Sequence, residues 1–216
     1  MIERLPVIEI TGASRARRIK RRFEAVITIE DPGLPIGRRV RFHRTPHPAH
    51  LVLTFEDLDE PCPPIITASE SHVMAAINFV RERPVGALLV HCHAGIGRST
   101  AIALAIIADR LGPGHERRAL EEMLHLQRRA VPNLLVVRHA DAVLGRDGVL
   151  LRVVEEWDSQ SPRNRHRRAL NREAVLDAYP HRALKRGRLT LEDEHVIETK
   201  QGLNRMTGSA SELPTP

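Results

Sequence analysis

Short, β-branched apolar stretches alternate with turn residues through the first ninety positions, and each predicts a strand. They are Val7 to Ile10 before Thr11-Gly12, Ala25 to Ile29 before Asp31-Pro32-Gly33, and Leu51 to Phe55. The third runs into an acidic stretch, Glu56-Asp57-Leu58-Asp59-Glu60, and then Pro61-Cys62-Pro63-Pro64. Thr67 and Glu70 have capping-box spacing, and the helix they open carries Val73, Ala76, Ile77 and Val80 on one face up to Arg83-Pro84. Ala87 to Val90 is wholly apolar, as a central strand covered on both faces requires.

Beyond residue 97 the spacing turns helical. Ser99 to Leu111 is apolar nearly all round, so it predicts a buried helix, stopped by Gly112-Pro113-Gly114. An amphipathic helix follows over roughly His115 to Arg129, then a turn at Pro132-Asn133, then a helix from Leu134 to Leu144. Leu150, Val153, Val154 and Trp157 predict one more, starting near Asp147. Strands alternating with helices and then a helical half imply an α/β fold with a central, mostly parallel sheet flanked by helices. Residues 1–157 form the expected domain. Residues 158–216 read as a polar, arginine-rich C-terminal extension, partly disordered, although Leu170 to Leu184 has the pattern of a helix.

The chain has 216 residues, of which 42% are apolar and 3% aromatic, so its core must be built from Ile, Leu, Val and Ala. Its longest apolar run, Ala101 to Ala108, is far below the ~20 residues that cross a bilayer. With no apolar leader, a cytoplasmic location is expected, with no membrane partner, and the two cysteines are read for reactivity rather than for a disulfide framework. Net charge is +6, carried by arginine with only three lysines, and the arginine is spread along the whole chain. That spread argues against a nucleic-acid partner and for attraction to small anions such as phosphate.

Chemistry concentrates in His91-Cys92-His93-Ala94-Gly95-Ile96-Gly97-Arg98-Ser99. A predicted strand precedes this segment and a predicted helix follows it, the context of an anion cradle. Glycines let backbone N–H groups converge, and the helix dipole points its positive end into the loop. A cysteine there faces amide donors, which favours thiolate. Arg98 can fold back to bind two phosphate oxygens, and the Ser99 hydroxyl can hydrogen-bond the sulfur. The joint pattern arises by chance on the order of once in a thousand such chains.

HCHAGIGRS resembles the HCxxGxxR(S/T) phosphate loop of the cysteine-dependent protein tyrosine phosphatases, most of all the compact bacterial tyrosine and dual-specificity types. The resemblance covers roughly residues 1–157, with LTFEDLDEP and RRAVPN as weaker companions. It implies a phosphate-monoester hydrolase working through a cysteinyl-phosphate on a phosphorylated protein or peptide, with no cofactor and no metal. Cys92 is then the nucleophile. Arg98 and the loop residues His93, Ala94, Gly95, Ile96 and Gly97 hold the phosphate, Ser99 assists the thiolate, and His91 orients the loop and tunes the sulfur. The general acid is Asp57, just past the third strand, with Asp59 as its rival and Glu56 and Glu60 nearby. The family's tryptophan-proline-aspartate form of the acid loop is absent.

Other readings stay open at this stage. The same loop serves phosphoinositide, inositol phosphate or RNA 5′-phosphate hydrolases, or a phosphoprotein-binding module with weak turnover. Relatives that act on inositol rings often carry basic residues inside the loop, and here the variable positions are His93, Ala94, Ile96 and Gly97. Cys62 reads as inert rather than as a disulfide partner for Cys92. Asn133 reads as a helix cap. His43, His47 and His50 read as exposed loop residues rather than metal ligands. Arg17 and Arg167 lie outside the motif and read as general surface charge, whose replacement by lysine should do almost nothing.

Overall fold

The computed structural model describes residues 7–83 and 86–184, and the chain divides into two units, residues 1–172 and 173–216. In the first unit, four parallel strands form one sheet: β1 (Val7–Gly12), β2 (Ala25–Glu30), β3 (Ala49–Thr54) and β4 (Ala87–Cys92), in the order β1-β4-β2-β3. The last strand in sequence is thus inserted between the first two. Its register pairs Ile8 with Leu88 and Gly12 with Cys92 on one side, and Ala25 with Leu88 and Thr28 with His91 on the other. β3 begins two residues before the predicted Leu51, because its pairing with β2 runs from Ala25–Ala49 to Glu30–Thr54.

Side chains alternate between the two faces of this sheet. Val26 and Leu89 point to the face covered by the short helix α1 (Ala13–Ile19), where they pack with Ala16 and Ile19. Ile8, Ile10, Ile27, Ile29, Leu88 and Val90 point to the opposite face. There they pack against α2 (Glu70–Arg81), α3 (Arg98–Leu111) and α4 (Glu116–Leu126), behind which α5 (Leu134–Val143) and α6 (Val149–Ser159) continue the same core. Every residue of α3 from Arg98 to Ala108 is buried, as its all-round apolar sequence predicts. Two predicted ends move. α2 is capped by Ser69, not Thr67, with His72 closing the box in place of Glu70. α4 stops at Leu126 rather than Arg129, because the segment after it is spent on holding another loop.

The stretch after Ser159, expected to begin a loose extension, starts a further helix, α7 (Pro162–Leu184). Ser161 accepts a hydrogen bond from the Asn164 N–H, and proline occupies the first helical position, where its missing N–H costs nothing. The helix crosses from the first unit into the second at residues 172–173, and of the second unit 173–184 are helical. The remainder of the expected extension, 185–216, lies outside the described residues. No helix among those residues is long and apolar enough to cross a membrane.

Candidate active site

The end of the central strand β4, between β1 and β2, is where chain order in the sheet reverses, and such points form ligand crevices. His91 to Gly97 turn there into the N-terminus of α3. Gly95 has φ +77, and a Cβ on it would fall 2.4 Å from the Thr11 carbonyl carbon, so only glycine fits. The loop's carbonyls are anchored from outside. His93 O accepts from Ala13 N (3.1 Å), Gly95 O from Gln127 Nε2 (3.0 Å), Ile96 O from Val131 N (2.9 Å) and Gly97 O from Asn133 N (3.4 Å). Across a trans peptide the C=O and the following N–H point in opposite directions. The four anchors therefore turn the amides of Ala94, Ile96, Gly97 and Arg98 away from them, toward the loop's centre. This is also why α4 ends early: Gln127, Val131 and Asn133 serve the loop.

At the head of the loop Cys92 is 2% exposed. Its Sγ accepts from Gly95 N (3.2 Å) and lies 3.3 Å from Ser99 Oγ. Arg98, 3% exposed, is held by two partners: Nη1 donates to Phe55 O (2.7 Å) and Nη2 pairs with Asp31 (2.8 Å). Its Nε is buried without a hydrogen-bond partner, 3.7 Å from Asp57 Oδ2. The guanidinium expected to fold over the loop is thus fixed by the protein at two nitrogens, and Nε is left to receive an anion.

His91 is a neutral brace. Thr28 Oγ1 lies 2.8 Å from the Nε2 of both His91 and His50, which joins β4, β2 and β3 in one chain. Burial is the main reason both imidazoles fall from 6.5 to about 4, so His91 supplies no positive charge to the sulfur near neutral pH. His50 is not an exposed loop residue as expected; it belongs to β3 and is half-buried. His47 is exposed and stacks on Phe42. Among the described residues no group of His, Cys, Asp and Glu has metal-holding geometry.

The two candidate acids are placed differently. The Asp57 carboxyl lies over Gly97, where a Cβ would come within 2.7 Å of Oδ2, and Oδ1 accepts from Asn133 Nδ2 (2.9 Å). Burial pushes its pKa above the ordinary carboxylate range, against the pull of Arg98 and the Asn133 hydrogen bond. Asp59 instead accepts from the Leu134 N–H at the start of α5 and pairs with Arg168, both at 2.7 Å. Glu56 is buried in the loop and Glu60 is exposed. Cys62 is a free, half-buried thiol lining a cavity with Asp59, Glu60 and Arg168.

Asn133 does more than the expected capping. Its Oδ1 caps Val136 N, while its Nδ2 also donates to Leu58 O (2.9 Å). Arg17 and Arg167, which read as general surface charge, both border the site. Arg17 lines a cavity of about 330 Å³ with His91, Cys92, His93 and Asp31. Arg167 lines one of about 120 Å³ with Asp57, Ala94, Ile96 and Gly97. Asp31 and the α7 residues carried no motif in the sequence. The one signal for the latter is a polar stripe at helical spacing, Asn164, Arg168 and Asn171.

No family model matches the chain, and no curated protein matches it in sequence. Solved structures do align with it. Tk-PTP in the active form aligns at 18% identity over 68% of this chain and 95% of its own, with a TM-score of 0.48. For DUSP15 the identity is 23% over 70% of this chain and 92% of its own, with a TM-score of 0.47. A human tyrosine phosphatase-like serine/threonine/tyrosine-interacting protein aligns at 18% over 66% and 92%, again with a TM-score of 0.47. In its loop sequence, HCHAGIGRS, the chain resembles the cysteine-dependent protein tyrosine phosphatase superfamily.

Proposed function

We propose that the chain hydrolyses phosphate monoesters through a cysteinyl-phosphate on Cys92, with phosphotyrosine in a protein or peptide as substrate. The observation that carries this is the buried, unpartnered Nε of Arg98, set 3.7 Å from the raised-pKa carboxyl of Asp57 in the loop that Cys92 opens. A buried cationic donor left open in an amide-lined loop fits a dianionic phosphoryl group.

In the first step the Cys92 thiolate attacks phosphorus in line. The S–P bond forms, the P–O bond to the phenol breaks, and protonated Asp57 gives its proton to the leaving oxygen. In the second step the Asp57 carboxylate takes a proton from water as that water attacks phosphorus. The S–P bond breaks, inorganic phosphate leaves, and Ser99 Oγ donates to the departing sulfur. The negative charge developing on the equatorial oxygens falls to Arg98 and the inward amides. A phosphoprotein substrate is favoured over an inositol phosphate because none of the variable loop positions, His93, Ala94, Ile96 and Gly97, is lysine or arginine.

The test is a panel of phosphotyrosine, phosphoserine and phosphothreonine peptides, inositol phosphates and an aryl phosphate, run on wild type and Cys92→Ser. The expected result is turnover of phosphotyrosine and aryl phosphate that Cys92→Ser abolishes while phosphopeptide binding persists. Turnover that survives Cys92→Ser contradicts the mechanism, and preference for the inositol phosphates contradicts the substrate.

A further inference from the structure

The segment that carries Asp57 has little backbone support of its own. Glu56 N donates to Ile66 O (2.8 Å) and Leu58 N to Glu56 O (3.1 Å). Its other ties reach it from distant parts of the chain, and two of them, Arg168 and Asn171, come from the first turns of α7. Asn171 Nδ2 donates to the Asp57 carbonyl (2.6 Å). Arg168 Nη1 pairs with Asp59 (2.7 Å) while its Nη2 donates to Pro132 O (2.9 Å). Asp158 fixes the same guanidinium through Nε (3.0 Å) and Nη2 (3.2 Å), and Asn164 Nδ2 in turn holds Asp158 (3.0 Å).

Two features separate this from an ordinary solvated helix face. Asn164, Arg168 and Asn171 recur at i, i+4 and i+7, so one stripe of a polar helix carries Arg168 and Asn171, which bind the acid loop, and Asn164, which holds Asp158. The Arg168 side chain is only 14% exposed and sits between two carboxylates and a carbonyl, an arrangement that uses the planar fork and that lysine cannot reproduce. The attachments also converge. Pro132 precedes Asn133, which binds the Asp57 carboxyl, and the neighbouring Val131 anchors the phosphate loop at Ile96.

We propose that Arg168 and Asn171 are positioning residues that latch the acid loop, so that the N-terminal half of α7 holds Asp57 over the phosphate loop. The latch rests on the hydrolase reading above. A general acid acts only within hydrogen-bond reach of the leaving oxygen, and a displacement of about 1 Å can cost ~10²-fold in rate. The groups that face Asp57 are Arg98 from α3, Asp31 after β2, Asp59 in its own loop, Asn133 before α5, and Arg167 across the shared cavity. Asn171 adds no charge to this set. Replacing it therefore alters the position of Asp57 without altering the field around it.

The test uses the full chain with Asn171→Ala, Arg168→Ala and Arg168→Lys, and with Arg165→Ala on an exposed face of α7 as the control. Turnover is measured on a phosphotyrosine peptide and on an aryl phosphate with a good leaving group. Asn171→Ala is expected to slow the peptide by about 3- to 10-fold, the worth of one hydrogen bond, and the aryl phosphate by less than about twofold. Arg168→Ala should reach ~10²-fold on the peptide, with Arg168→Lys recovering part of it and Arg165→Ala unchanged. Titration of the Asp57 carboxyl by ¹³C NMR reads the same latch without turnover. In Asn171→Ala its pKa should fall toward the ordinary carboxylate value as water reaches the loop. Equal losses on both substrates, or no loss on either, overturn the latch. If the wild type hydrolyses neither substrate, the hydrolase reading fails and the titration decides alone: an Asp57 unmoved by Asn171→Ala overturns the latch as well.

Discussion

The two loops to which we assign phosphate binding and proton donation, the phosphate loop and the acid loop, face each other across one cleft, yet they are built by opposite means. The phosphate loop is made by the backbone. Gly95 adopts a positive φ against β1, and four carbonyls are tied down so that amides turn inward. The acid loop is held by side chains, with Asn133, Arg168 and Asn171 reaching it from positions far along the chain. A backbone device needs particular residues at fixed local spacing, so it leaves a motif. A side-chain device needs only donors that arrive together in space, so it leaves almost none. The first should resist substitution of its supports and fail abruptly at its own residues; the second should degrade in steps.

The largest expected effect beyond the nucleophile itself is at Arg98. Arg98→Lys keeps the charge but loses the fork that binds Phe55 O and Asp31 while leaving Nε for phosphate. It should reduce kcat by ~10²- to 10³-fold, far more than the lost contacts to Phe55 O and Asp31 lower the urea midpoint. A loss of folding stability in step with activity would make Arg98 a structural residue first.

Next comes Asp57→Asn, expected to slow a phosphotyrosine peptide by ~10²-fold and an activated aryl phosphate far less, since a good leaving group departs without a proton. The wild-type rate should fall on the alkaline side as Asp57 deprotonates, at a pH above the ordinary carboxylate range, and Asp57→Asn should remove that limb. Asp59→Asn weakens a helix cap and an ion pair, so it should mainly lower stability. Leaving-group dependence in Asp59→Asn and not in Asp57→Asn would exchange the two roles.

These contrasts also explain what could be read in advance. The sheet, the buried α3 and the loop from His91 to Ser99 are written in local apolar runs and one motif, and they stand where expected. In the sequence Asp57 is preferred to Asp59 only for its position after the third strand, because what distinguishes them physically is the space above Gly97 and the cation Arg168. The first turns of α7 read as extension because their contacts are polar: Asn164 and Arg168 are drawn in by hydrogen bonds, and apolar periodicity carries no sign of that. In the sequence His50 reads as a loop residue because prolines stand close before it, whereas pairing with β2 extends β3 back to Ala49.

A smaller effect concerns the platform beneath the phosphate loop. His91 and His50 have folded-state values of about 4 against 6.5 for a free imidazole, so the unfolded chain binds protons first as pH falls. Their contribution is therefore intact above about 6.5 and is lost on descending toward 4. The urea midpoint should drop across that window, and His91→Asn should flatten part of the drop. A midpoint independent of pH there would mean that the imidazoles are not held neutral.

The central claim is that Cys92 carries the phosphoryl group. Wild-type enzyme mixed with excess aryl phosphate, quenched in acid within milliseconds and digested for mass spectrometry, tests it most directly. The account predicts one added phosphoryl group on the peptide containing Cys92, formed at the rate of phenol release and absent in Cys92→Ser. Phenol release with no phosphorylated Cys92 peptide, or with the phosphoryl group on another residue, would contradict it.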